Sequence, residues 1–187
     1  MMKRREVLLS ASALGAAAML EGQTPAAMQQ AKTHLKVGDA APDFTVPTTT
    51  PAKKFHLADY KGKSGVVVAF FPAAFTGGCT KEMTAYGTEI KKFTDLGFEV
   101  IGISTDNVPS LAYWATNMLK VDAPLGSDFA TRKVTESYGV LRKESGTANR
   151  ATFVVDKAGL ITHIDEGNAA VDISTVATAC ARVKGKS

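Results

Sequence analysis

Cysteine is scarce in this chain: there are two in 187 residues, Cys79 and Cys180. Two thiols cannot build a disulfide scaffold. They also lack companions for a zinc site, because His34, His56 and His163 are dispersed with no ligand spacing among them. Neither cysteine belongs to a Cys-x-x-Cys pair, since Thr76 holds the position three before Cys79. Past residue 20 no apolar run is long enough to span a bilayer, and no internal repeat is present. Charge is mild: 22 Lys and Arg against 18 Asp and Glu leave a scattered net +4. No basic patch with interleaved aromatics forms, so nucleic-acid binding has no support. With 45% hydrophobic residues, the chain suits one globular domain with a proper core.

The N-terminus is set apart. "MMKRREVLLSASALGAAAML" opens on Lys3, Arg4 and Arg5, then runs from Val7 to Leu20 without a charge. A basic start followed by a short Ala-rich apolar region reads as an export signal over residues 1–28. The adjacent arginines give it the twin-arginine form that bacteria use, and "TPAAM" (24–28) offers a cleavage region. The competing reading is an N-terminal helix or membrane anchor. The expectation is an exported, periplasmic protein with a linker at 29–35 and a single domain at 36–185. In such a compartment disulfides persist, so a Cys79–Cys180 pair is chemically permitted.

"GVVVAFF" (65–71) is a continuous β-branched and aromatic run, as expected of a strand buried on both faces, and Pro72 ends it. Met83, Tyr86, Ile90 and Phe93 fall at helical spacing and predict a helix over 77–95, stopped by Gly97. "FEVIGIS" (98–104) reads as a second buried strand. Residues 108–119 read as a helix with Asn107 or Asp106 as its cap and Pro109 in the first turn. "APLGSD" (123–128) reads as a short strand and 129–138 as a short helix. "ATFVVD" (151–156) and "LITHID" (160–165), joined by three residues, predict an antiparallel hairpin, and a last helix covers about 171–183. That order predicts a single α/β domain, its central mixed sheet covered by helices on both faces.

Cys79 follows Thr76-Gly77-Gly78 where strand turns to helix, whereas an inert cysteine normally sits inside an apolar run. A thiol becomes a good nucleophile as thiolate. The first turn of a helix offers it unpaired N–H groups and the positive end of the dipole. Gly77 and Gly78 let the backbone approach closely. The Thr76 hydroxyl can donate to the sulfur or to a bound oxygen, and an N-cap role is compatible with that. Pro72 stiffens and dries the pocket wall. The missing full positive charge is assigned to Arg150, just before the strand "ATFVVD". An activated thiolate of this kind attacks a peroxide oxygen and becomes a sulfenic acid, while preorganised donors receive the leaving oxygen. No metal or organic cofactor is called for.

Pro72-Ala-Ala-Phe-Thr76-Gly-Gly-Cys79 fits the Pro-x-x-x-Thr-x-x-Cys signature of peroxiredoxins. "FFPAAFTGGCTKEM" and "SYGVLRKESGTANRATFVVDKAGLI" are similar to the alkyl hydroperoxide reductase E and bacterioferritin-comigratory branches. The likeness runs from Lys36 to the C-terminus. It implies a thioredoxin-like fold, with Cys79 as peroxidatic cysteine and Pro72, Thr76 and Arg150 as its pocket. Glu82 and Trp114 sit where such proteins often keep a polar or an aromatic neighbour. It also implies a peroxide substrate, a thioredoxin-like or other thiol reductant, and a homodimer. Cys180 has two readings: a small buried hydrophobe on one face with Ile173, Val176, Ala177 and Val183, or a resolving cysteine for the Cys79 sulfenic acid. Thr84 stands where the bacterioferritin-comigratory branch often keeps its partner cysteine. The competing functions are a thioredoxin-fold thiol–disulfide oxidoreductase, which Thr76 in place of a first cysteine argues against, and a redox-sensing module.

Overall fold

Six consecutive residues, GVVVAF, offer water no polar side chain, so a strand made from them must be covered on both faces. The computed structural model, which describes residues 32–50, 53–122 and 124–185, builds the domain around that strand. The expected export signal over 1–28 lies outside the described residues. In chain order the elements are β1 (Thr45–Pro47), β2 (Lys54–His56), β3 (Gly65–Phe70), α1 (Gly77–Thr88), α2 (Ile90–Asp95), β4 (Phe98–Ser104), α3 (Val108–Trp114), β5 (Leu125–Ser127), α4 (Lys133–Ser137), β6 (Ala151–Val155), β7 (Ile161–Glu166) and α5 (Ser174–Lys184).

The main sheet has the order β5-β4-β3-β6-β7. β3 and β4 are parallel, as are β4 and β5, whereas β6 runs antiparallel to both β3 and β7. The sheet is therefore mixed, as expected. In the β3–β6 register Phe70 faces Ala151, which sets the end of β3 beside the start of β6. Side-chain alternation then splits the core in two. Val67, Ala69 and Phe71 meet Met83, Tyr86, Leu111, Trp114 and Val176 from the helices on one face. Val66, Val68 and Phe70 meet Val46, Phe55, Val134 and Tyr138 on the other.

That second face differs from the expectation of a purely helical cover. α4 shares it with the β1–β2 ribbon, two three-residue strands paired antiparallel. The long helix expected at 77–95 is divided at Glu89, where the backbone leaves helical geometry (φ −99°, ψ 13°). The helix expected at 108–119 continues past α3 as a π-turn, Ala115–Leu119, and ends at left-handed Lys120. A 3-10 turn, Gly167–Val171, leads into the last helix, which begins at Ser174 and not at about 171 as expected. The packed chain also reaches back to Thr33, within the expected linker. Its N–H donates to Glu166 Oε1 at 2.8 Å and its hydroxyl to the Tyr138 carbonyl at 2.6 Å. No helix among the described residues is long and apolar enough to cross a membrane.

Gly65 opens β3 with no room beside it. A Cβ there would collide with the Phe98 ring and stand 2.8 Å from the Val155 carbonyl oxygen. Gly65→Ala should therefore lower stability by about 1–3 kcal/mol through overpacking. Urea unfolding against the parent chain checks it, and an unchanged midpoint would show that the β3–β4 edge yields freely.

Candidate active site

β3 ends pointing at the C-terminal edge of the parallel strands, and the chain turns there into α1. Pro72 is half-buried in that turn, Ala74 is buried, and Phe75, Thr76, Gly77 and Gly78 are exposed. Phe75 adopts a left-handed backbone (φ 65°), which an aromatic residue holds only when its surroundings over-determine it. Its ring packs against Trp114 at 6.2 Å and Tyr113 at 6.4 Å between centroids. Trp114 is itself fully buried and lies 5.4 Å from Phe71. It thus belongs to the core and backs the turn from inside.

Thr76 occupies the N-cap position of α1, but its side chain does not cap the helix. Its hydroxyl donates to the Ala73 carbonyl at 3.0 Å, closing the turn on itself. Its carbonyl accepts from the Thr80 N–H and hydroxyl, at 2.9 and 2.8 Å. Cys79 is then the third helical residue, in the turn whose N–H groups lack intrahelical partners, and no acidic side chain sits in that turn. Its residue is 1% exposed.

Arg150 comes from the other side of the sheet register. It precedes Ala151, the partner of Phe70, and the Gly167 N–H fixes its carbonyl at 2.9 Å. Its Nη2 donates to Cys79 Sγ at 3.2 Å and its Nη1 to Glu82 Oε2. Cys79 and Glu82 are three residues apart on α1, hence on one helical face, so one planar guanidinium spans both. The cation stabilises negative charge on the sulfur, and the fully buried Glu82 balances and orients the cation. Space is tight at Gly78, since a Cβ would stand 3.1 Å from Arg150 Nη2 and the guanidinium would have to give way. Gly77 meets nothing within 4 Å, so the expected close approach belongs to Gly78.

Behind Glu82, one turn further along α1, Tyr86 lies beside Thr152 and Cys180, and burial pushes its phenol well above the ordinary range. Cys180 is fully buried on α5, and burial pushes its thiol up to about 12. Both cysteines are free and belong to the same core layer. Sequence reasoning missed Asp106 as part of the site. Asn107 caps α3 by accepting from the Ser110 N–H at 2.9 Å, and Asp106 instead accepts from the Ala74 N–H at 2.8 Å. The signal for it was slight: an acidic residue at the end of a buried strand.

The model of the AhpC/TSA family matches residues 37–164. The chain belongs to the AhpC/TSA family. It is 37% identical to the chloroplastic 2-Cys peroxiredoxin BAS1 of Spinacia oleracea over 68% of this chain and 51% of that one. It is 35% identical to peroxiredoxin-2 of Cricetulus griseus, covering 68% of each. Among solved structures it is similar to peroxidoxin BcpB of Mycobacterium tuberculosis, with TM-score 0.72, 33% identity and coverage of 80% and 97%. The 2-Cys peroxiredoxin of Plasmodium vivax shares the fold at TM-score 0.73 with 22% identity, covering 81% and 98%. The chain spans about half the length of the spinach and Arabidopsis relatives it matches. The chain shares a thioredoxin-like α/β domain with its AhpC/TSA relatives.

Two outcomes follow from the buried ion pair and the buried thiol. Arg150→Met strands Glu82 and should cost roughly 3–5 kcal/mol, much of it recovered by adding Glu82→Gln, as read by denaturant unfolding of the single and double variants. Cys180 stays neutral when folded but ionises when unfolded. Its contribution is complete below the ordinary 9.0 and is lost as pH rises toward about 12. Cys180→Ala should therefore lose stability less steeply than the parent across that window in pH-dependent unfolding.

Proposed function

We propose that this protein is a thiol-dependent peroxidase that reduces hydrogen peroxide or organic hydroperoxides. The observation that carries the reading is the 3.2 Å contact between Arg150 and the Cys79 sulfur at the opening turn of α1. The Cys79 thiolate attacks the terminal peroxide oxygen. An S–O bond forms as the O–O bond breaks, the leaving oxygen takes a proton to become water or an alcohol, and sulfur is left as a sulfenic acid. In this reading Arg150 and the first-turn N–H groups receive the charge that develops on the leaving oxygen. Membership of the AhpC/TSA family supports the same chemistry.

An external thiol, thioredoxin-like or small, then attacks the sulfenic sulfur. Water leaves, and a second thiol releases the mixed disulfide to restore Cys79. Resolution from outside the chain is favoured over Cys180 because that thiol is buried and held neutral, with its value pushed up to about 12. A homodimer is part of the proposal, supported by the exposed neighbours Phe75 and Tyr113, 47% and 62% accessible, beside the Cys79 turn. Export by a twin-arginine signal is the remaining part, supported by the sequence of residues 1–28.

The test is intact mass after substoichiometric hydrogen peroxide on the reduced protein and on its Cys79→Ser and Cys180→Ser variants. The parent and Cys180→Ser should gain one oxygen, and Cys79→Ser none. Loss of two hydrogens in the parent would move resolution to Cys180. No rapid change in any of them would leave a non-catalytic thioredoxin-like module.

A further inference from the structure

The turn that carries Cys79 is held by a strained residue, and strain of this kind persists only where something outside the turn opposes relaxation. Within the turn, Thr76 bonds back to Ala73 and Thr80 back to Thr76. Neither bond reaches the rest of the molecule. The Phe75 ring leans on Trp114 and Tyr113, which gives direction without register. Arg150 ties the helical end of the turn to β6, and Asp106 ties the segment before it: its Oδ2 accepts from the Ala74 N–H at 2.8 Å, across 32 residues of chain. Ala74 is the residue immediately before left-handed Phe75.

The carboxylate and the backbone of Asp106 are themselves held. Ser104 Oγ donates to the same Oδ2 at 2.8 Å, and the Asp106 N–H donates back to Ser104 Oγ at 3.1 Å. The Ser127 hydroxyl, from the end of β5, donates to the Asp106 carbonyl at 2.6 Å. The three residues stand where β4 and β5 end, at the edge of the sheet from which the Cys79 turn departs. Two ordinary roles for an aspartate here are already filled or vacant. Asn107 caps α3, and Asp106 has no cationic partner among the described residues.

We propose that Asp106 is a positioning residue for the peroxide reaction: its carboxylate latches the Ala74 N–H and so fixes Phe75, Thr76 and the first turn of α1 in the geometry that receives peroxide. The inference rests on the peroxidase reading. Asp106 touches neither the sulfur nor Arg150. Its loss leaves the cation beside Cys79 and displaces the donors that meet the leaving oxygen. Reaction with peroxide, which needs those donors, separates here from alkylation by iodoacetamide, which needs only the sulfur.

Rapid-quench intact mass gives the rate of Cys79 oxidation by hydrogen peroxide, and iodoacetamide alkylation at the same pH gives the second rate. Asp106→Ala should slow oxidation by about ten- to hundredfold, as loss of a charge-assisted bond does, with alkylation within about threefold of the parent. Asp106→Asn keeps an acceptor for the Ala74 N–H and should recover most of the loss. Oxidation of the alanine variant within twofold of the parent overturns the inference. So does a parallel fall in both rates, or an asparagine variant no faster than alanine. If Asp106→Ala does not fold, Ser104→Ala carries the test, since it removes the hydroxyl that steadies Oδ2. It should slow oxidation and not alkylation, and an unchanged oxidation rate there overturns the inference. A parent chain that peroxide does not oxidise defeats the peroxidase reading and the inference together. A rapidly oxidised parent with an equally rapid alanine variant defeats the inference alone.

Discussion

One guanidinium holds the functional end of this domain together. Arg150 reaches Cys79 with one nitrogen and Glu82 with the other, and almost none of the arrangement is open to water. A cation in such a place is tolerable only with an anion in contact. Glu82 is that anion, delivered by the same helical face that delivers the sulfur. The i, i+3 spacing on α1 and the first position before β6 are thus one requirement met from two parts of the chain. The glycine at position 78 suits it, because a Cβ there would press on the guanidinium at 3.1 Å.

The second constraint is the shape of the turn between β3 and α1. An aromatic residue with φ 65° is costly, and the costs are met by contacts on three sides: Trp114 beneath, Thr76 within and Asp106 across the sheet edge. These are different kinds of contact with a common effect. They leave the sulfur at the opening of a helix with exposed glycines before it and core behind it. The candidate site is consequently a property of the junction between two layers, and neither layer forms it alone.

Much of this was readable in the residues. The apolar run of β3, the three-residue link between the runs that become β6 and β7, and the helical spacing of Met83, Tyr86 and Phe93 each carry a local signal, and the structure follows them. Arg150 was legible because the order of elements places the start of β6 at the edge where Cys79 sits. Glu82 stood out only through family likeness, although its spacing from Cys79 was there to be used. Three features were opaque for physical reasons. The strands of β1 and β2 are three residues each, too short for alternation to register. Phe75 breaks the rule that left-handed positions go to glycine. Asp106 acts on a backbone N–H, a partner with no residue identity to recognise.

The pairing of Phe70 with Ala151 has a consequence for how such chains can change in length. Residues 141–148 form a surface excursion before Arg150, closed by a bridge between Leu141 and Ala148, and extra residues there would only enlarge a loop. A single residue inserted between Arg150 and the strand is another matter. Because strand side chains alternate, it would turn the guanidinium to the opposite face of the sheet, among Phe70, Phe153 and Tyr138. A lineage of these domains can therefore drift freely in the length of that loop while the count from Arg150 into β6 stays fixed, and the site is inherited as a count as much as a set of side chains.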